Sequence, residues 1–235
     1  MTRRFPPLFS VVATRFTLAL VVKTAEFRPL APKPSGLYRA AAYASLPVMN
    51  LLFRPTTVGV ENVPTEGGFV LAANHLSNFD PWAVGLPIFP WRFLRFMGKS
   101  ELFWWPLGPL ISSGGAFKVH RGQADTAAID TAVELAREGH AVMMFPEGTR
   151  RKKGMVKKFQ PRAHSGAARI ALAAGVPLIP AAIKGTDKLL RLGPVRVAYG
   201  EPVQLDDLRG QDPREAAHEA TDRLMAEIER LEATL

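Results

Sequence analysis

The chain contains no cysteine. Disulfides, cysteine-ligated zinc and a thiol nucleophile are therefore excluded, and a reducing compartment is allowed without being required. Long apolar runs are also missing. Near the start, residues 8–13 and 16–22 are mostly apolar. Arg15 separates them and Lys23 follows, so neither reaches the roughly 20 residues that cross a bilayer. No small-residue cleavage site comes after them, and they do not read as a signal peptide. The sequence has no Gly-x-Ser-x-Gly elbow for a serine nucleophile, no Gly-x-Gly-x-x-Gly dinucleotide turn and no internal repeat. Acidic residues are in deficit. The 21 Asp and Glu face 30 Lys and Arg, leaving a formal charge of +9. That balance favours anionic partners: nucleic acid, anionic lipid or phosphorylated substrates.

What is present is enough for one substantial core. The chain has 235 residues, 47% of them hydrophobic, which is too apolar for disorder and of single-domain size. Residues 1–55 read as helical segments ahead of the main domain. Arg3 and Arg4 precede the first apolar stretch, which suits a helix lying in a membrane interface with Arg15 and Lys23 reaching outward, or else a packing helix. Pro29, Pro32 and Pro34 mark a linker. Residues 37–53 are again mostly apolar, and Pro47 is expected to kink or end a helix there. Tyr38, Tyr43 and Phe53 either sit at headgroup level or cover the sheet.

From 56 to 235, strands alternate with helices. Residues 56–60, 69–73, 91–97, 116–119, 141–145, 176–183 and 195–199 read as strands. Residues 81–86, 125–138, 163–174 and 214–235 read as helices. The second has an apolar face of Ile129, Val133, Leu135 and Ala136 with Gly139 just past its end, and the last carries Leu224, Ile228 and Leu231 on one side. Such alternation implies an α/β fold, a largely parallel mixed sheet flanked by helices. The cluster Trp104-Trp105-Pro106-Leu107 reads as core aromatics, or as the lining of an apolar groove or a bilayer contact.

The stretch with the most chemistry is Asn74-His75-Leu76-Ser77-Asn78-Phe79-Asp80, in the turn leaving the strand at 69–73. Asp80 stands before Pro81, as an N-cap would. A closed turn places its carboxylate against the His75 imidazole, orienting the ring and making it a better proton acceptor. A second turn, Phe145-Pro146-Glu147-Gly148-Thr149-Arg150, follows the strand at 141–145. Together these stretches resemble the glycerolipid acyltransferase family of 1-acylglycerol-3-phosphate acyltransferase type, whose first motif is Asn-His-x4-Asp and whose third is Phe-Pro-Glu-Gly-Thr-Arg. Gly115-Ala116-Phe117-Lys118-Val119-His120-Arg121 is similar to the second family block, and Val176-Pro177-Leu178-Ile179-Pro180 to the fourth. The likeness spans residues 59–200.

The resemblance implies a glycerol-3-phosphate acyltransferase-like fold with N-terminal helices lying on the membrane. It implies an enzyme moving a fatty acyl group from acyl-CoA or acyl carrier protein to the sn-2 hydroxyl of 1-acylglycerol-3-phosphate, giving phosphatidic acid. In that reading His75 is the general base and Asp80 orients it. Arg121 and Arg150 hold the acceptor phosphate, with Glu147, Gly148 and Thr149 in the same turn and Lys99 a weaker phosphate contact. No cofactor is implied beyond the acyl donor as co-substrate. The expected partners are the lysophospholipid, the donor and an anionic membrane surface, on whose cytoplasmic face the protein would be peripheral or monotopic. Nucleic acid is not expected, since no recognition motif accompanies the charge.

Three departures bear on the acceptor. His120 precedes Arg121, Arg151 follows Arg150, and Gln160-Pro161-Arg162-Ala163-His164-Ser165-Gly166 lacks the usual Lys before Gly. A lipid-linked sugar or another lysolipid is the alternative acceptor. A hydrolase using His75 and Asp80 on water is a further alternative, one that leaves Arg121 and Arg150 without a role. Arg151, Lys152, Lys153, Lys157 and Lys158 are either a solvated face or an attraction for headgroups and for the acidic parts of either donor.

Overall fold

The computed structural model describes residues 35–99, 104–105, 107–113, 115–119, 126–150 and 163–235. The interfacial helix and proline linker expected within residues 1–34, Arg121, and the basic run at 151–158 lie outside the described residues. A seven-stranded sheet forms the centre, in the order β1-β7-β6-β2-β5-β3-β4. The strands are β1 Thr56–Val58, β2 Phe69–Ala73, β3 Leu94–Lys99, β4 Ala116–Val119, β5 Ala141–Met144, β6 Leu178–Lys184 and β7 Arg196–Tyr199. From β6 through β2, β5 and β3 to β4 every pairing is parallel. β7 runs antiparallel to β6, and β1 follows β7. The sheet is thus mixed and largely parallel.

β2 shows why the sheet is buried on both sides. All of its residues are fully buried, and successive side chains point to opposite faces. Val70 and Ala72 pack under α4 (Thr126–Arg137), α5 (Gly166–Ala174) and α6 (Pro213–Thr234), with Val133, Ile170, Leu224 and Ile228. Phe69, Leu71 and Ala73 pack against Ala83 and Val84 of α2 (Asp80–Gly85) on the other face. A continuous apolar strand is what a two-sided cover requires.

α1 (Gly36–Phe53) makes an outer layer over α2. Ala42 and Met49 bury against Leu86 and Phe89. Tyr38 meets Trp82, Phe89 and Phe93 edge-on, and Phe53 meets Phe79. Of the two readings for these aromatics, Tyr38 and Phe53 therefore cover the fold, whereas Tyr43 is 52% exposed. Pro47 does not end the helix. It and Tyr43, whose carbonyl it leaves without a helical donor, both lie on the exposed side, where water can satisfy the carbonyl.

Other expectations shift by local chemistry. β3 begins three residues later than expected because Arg92 is buried. Its guanidinium donates to the carbonyls of Thr65, Gly67 and Gly139 at 3.2, 2.5 and 3.0 Å and lies over the Phe69 ring. The residues around it are thereby held in a turn. α3 (Leu107–Ser113) was not foreseen. Trp104 and Trp105, just before it, are 58% and 82% exposed, so they are not core aromatics.

His140, ahead of β5, is buried. Burial, then Arg95 and less strongly Arg92, hold its imidazole below the ordinary 6.5, while Glu138, 3.9 Å away, pulls it upward. An imidazole harder to protonate when folded leaves stability intact above the unfolded value and erodes it as the pH falls below. The melting temperature is therefore expected to drop between about pH 7 and 5 by less in His140→Asn than in the wild type. Equal drops would show that this imidazole plays no part.

Candidate active site

The site lies at the C-terminal edge of the parallel strands, where β2 sits between β5 and β6. The chain leaving β2 folds back so that Asp80 caps the turn from below. Asp80 is fully buried. Its Oδ2 accepts from the backbone N–H groups of Leu76 and Ser77 at 2.6 and 2.8 Å. The same oxygen lies 2.7 Å from His75 Nδ1. An oxygen that already accepts two backbone donors acts as an acceptor toward the ring too, so Nδ1 carries the proton and Nε2 is left bare. Oδ1 accepts from Thr186 Oγ1 at 2.5 Å and, at 3.4 Å, from Ser77 Oγ.

The N-cap expected of Asp80 is corrected by this arrangement. Phe79 occupies the cap position without a side-chain bond. Asp80 is already helical, and its carboxylate turns back into the His75 turn rather than onto the first N–H groups of α2.

The His75 ring is 15% exposed and stacks on Phe145, with centroids 3.9 Å apart and planes 17° off parallel. Phe145 opens the second motif turn. Neighbouring parallel strands thus bring the two motifs together: β2 delivers His75 and β5 delivers Phe145 to Arg150. Within that turn Glu147 is buried, Gly148 half-buried, and Thr149 and Arg150 exposed. Gly148 has φ 66°, and a Cβ there would come within 2.6 Å of the His164 ring. Glycine is therefore favoured by the backbone conformation, and the exposed His164 ring lies over it. His164 is tied to the same turn, its N–H donating to Pro146 O at 2.8 Å. The strand leading to Arg121, β4, ends on the same edge three strands from β2, roughly 14 Å away at the usual spacing. Lys99 ends β3, between them.

Sequence reasoning passed over three residues that hold the site. Asn74, fully buried, pairs with the Ile183 backbone as an extra rung would: Oδ1 accepts from Ile183 N at 2.7 Å and Nδ2 donates to Ile183 O at 2.9 Å. Nδ2 also donates to Glu232 of α6 at 2.6 Å. Phe145 and Thr186 are the others. Asn74 and Phe145 stood inside recognised motifs, but their partners lie on other strands, and only pairing order reveals them.

A family profile described as acyltransferase matches residues 54–184. The 1-acyl-sn-glycerol-3-phosphate acyltransferase of Bacillus subtilis is 30% identical over 205 residues, 85% of this chain and 98% of that one. The chain belongs to the acyltransferase family. Its likeness is to the 1-acyl-sn-glycerol-3-phosphate acyltransferase type. The beta form from Homo sapiens is 31% identical over 114 residues, 47% of this chain and 39% of that protein. Among solved structures, the 1-acyl-sn-glycerophosphate (LPA) acyltransferase of Thermotoga maritima matches with a TM-score of 0.61 at 25% identity, over 83% of this chain and 79% of that chain. The mixed sheet flanked by helices is thus the fold of a solved acyltransferase.

For this acyltransferase, His75→Ala is expected to lower turnover by about a hundredfold to ten-thousandfold, the usual worth of a positioned base. Its melting temperature should stay close to that of the wild type. Near-normal turnover in the purified variant would remove His75 from the reaction.

Proposed function

We propose that this acyltransferase moves a fatty acyl group from a thioester donor, acyl-CoA or acyl carrier protein, to the sn-2 hydroxyl of 1-acylglycerol-3-phosphate. The observation that carries the reading is the His75 ring held by Asp80, with Nδ1 2.7 Å from Oδ2, beside the Phe145–Arg150 turn. The hydroxyl oxygen attacks the thioester carbon while Nε2 takes its proton. On collapse the carbon–sulfur bond breaks, the new ester remains, and the proton passes to the departing thiolate. His75 is neutral again at the end. No covalent enzyme intermediate is needed, because acceptor and donor meet directly.

The acceptor's phosphomonoester needs cations. Arg150 is exposed at the end of the His75-facing turn, and its planar fork suits a phosphate. The names of the relatives favour the same acceptor, and the family's second block assigns Arg121 as a further contact. One observation favours the second reading, another lipid acceptor with the same chemistry. His164 covers Gly148 in the segment where the resemblance calls for Lys, so this edge of the site differs from the family pattern.

A membrane surface as the place of reaction rests on α1. No described helix is long and apolar enough to cross a membrane. Yet Leu37, Tyr43, Val48 and Leu51 are 54%, 52%, 50% and 80% exposed. Ala40, Ala44 and Pro47 lie between them on the same outward arc. Such a face suits an interfacial helix, with the enzyme peripheral or monotopic on the cytoplasmic side.

Incubation with acyl-CoA and a panel of acceptors, followed by product analysis, tests the acceptor. Phosphatidic acid is expected as the main product. Acylation confined to acceptors without a phosphomonoester would overturn the reading in favour of the second. Arg150→Ala is expected to raise KM for lysophosphatidic acid by about tenfold or more, the scale of one charge-assisted hydrogen bond. KM for acyl-CoA should change little, and Arg150→Lys should restore only part. Unchanged acceptor KM would take Arg150 out of the clamp. Replacing Val48 and Leu51 by Glu should weaken sedimentation with anionic phospholipid vesicles at an unchanged melting temperature, since both side chains are exposed. Undiminished sedimentation would move the contact away from α1.

A further inference from the structure

We infer that Thr186 is a positioning residue for the acyl transfer, acting on His75 through Asp80. The inference rests on the reading of His75 as the base. Thr186 lies outside every motif that marks the family in this sequence. It opens a 3-10 turn, Thr186–Arg191, just beyond β6. The residue is buried, at 2% relative exposure, and Oγ1 donates to Asp80 Oδ1 at 2.5 Å across 106 residues of sequence.

The plain alternative is a buried hydroxyl that has merely found an acceptor. Other threonines, buried Thr221 and exposed Thr131, satisfy their hydroxyls locally. Thr131 and Thr221 each donate to the carbonyl four residues earlier, Ala127 and Ala217, within their own helices. Thr186 does not. Its backbone is aimed by Gly185, at φ 96°, where a Cβ would meet Pro194 O at 2.3 Å. Only glycine makes that corner, and the corner delivers the hydroxyl to the carboxylate.

The same corner holds the other flank of the motif. Ile183, two residues before Gly185, takes both polar ends of the Asn74 side chain. The end of β6 therefore brackets His75 from both sides, through Asn74 before it and Asp80 after it. The two carboxylate oxygens have separate duties. Oδ2 faces the turn and the ring, whereas Oδ1 depends on Thr186, its other partner being the long contact from Ser77 Oγ. Without the Thr186 donor, Oδ1 is a buried, underpaired oxygen. The carboxylate then keeps its contact with the ring through Oδ2 but orients it less firmly. Its charge, no longer shared with that donor, also holds a proton on the imidazole more strongly.

Thr186→Val keeps the shape and removes the donor, and Thr186→Ser keeps the donor. The valine protein is expected to lose about 10- to 100-fold in kcat, the scale of a hydrogen bond to a charged group. KM for both substrates should stay close to wild type. The acid limb of its kcat–pH profile should move to higher pH, and serine should restore both kcat and the limb. A structural role would lower the melting temperature or the active fraction without moving the limb. Should the valine protein fail to fold, Thr186→Ala, which leaves space rather than an apolar branch at the carboxylate, carries the same measurement. Wild-type kcat, or a fall in kcat with an unmoved acid limb, overturns the inference. His75→Ala measured alongside separates the two failures: an active His75→Ala protein defeats the reading of the base, whereas an inactive one beside an unaffected Thr186→Val defeats only the role of Thr186.

Discussion

A carboxylate withdrawn from water must find donors inside the protein, and Asp80 is the point at which this fold meets that demand. Its oxygens draw on the turn after β2, on the imidazole it orients, and on a hydroxyl from beyond β6. Each donor fixes one part of the site. The backbone N–H groups close the turn, the ring is oriented, and β6 is tied to β2 at the C-terminal edge of the sheet. Removing the carboxylate would release all three, which is why a single residue has more structural consequence than its place at a helix start suggests.

Sheet order does the rest. β2 stands between β5 and β6, so the His75 turn has a motif turn on one side and the Ile183–Thr186 corner on the other. Phe145 supplies a flat apolar wall to the imidazole, and Asn74 supplies an extra rung to β6. The helices that cover β2 keep this edge rigid from beneath. Functional side chains held on turns at the ends of packed strands are a common arrangement for a site. The outward apolar arc of α1 lies over α2, on the face of the sheet opposite α6.

The chemistry of the site was legible in local sequence, and its support was not. The apolar run at 69–73, the polar turn after it and the glycine at 148 each follow from short-range rules. β2 and the long final helix appear at the expected positions. Asp before Pro fits a helix cap and an orienter of His75 equally well in the local pattern, and the structure keeps the second. The choice was made by a histidine five residues back and a threonine 106 residues on. β3 was misplaced for a similar reason, since a buried Arg92 recruits three carbonyls that no local pattern announces. Trp104 and Trp105 are exposed where composition favours burial. For Asp80 and Arg92 a deciding partner came from another element.

Asp80 holds the neutral His75 ring in the tautomer whose proton sits on Nδ1. Nitrogen-15 spectra of histidine-labelled protein read that tautomer directly. Neutral His75 is expected to show a protonated Nδ1 and an unprotonated Nε2, a preference that Asp80→Asn should abolish. A His75 signal showing the proton on Nε2 in the wild type would contradict it, because no lone pair would then face the acceptor hydroxyl.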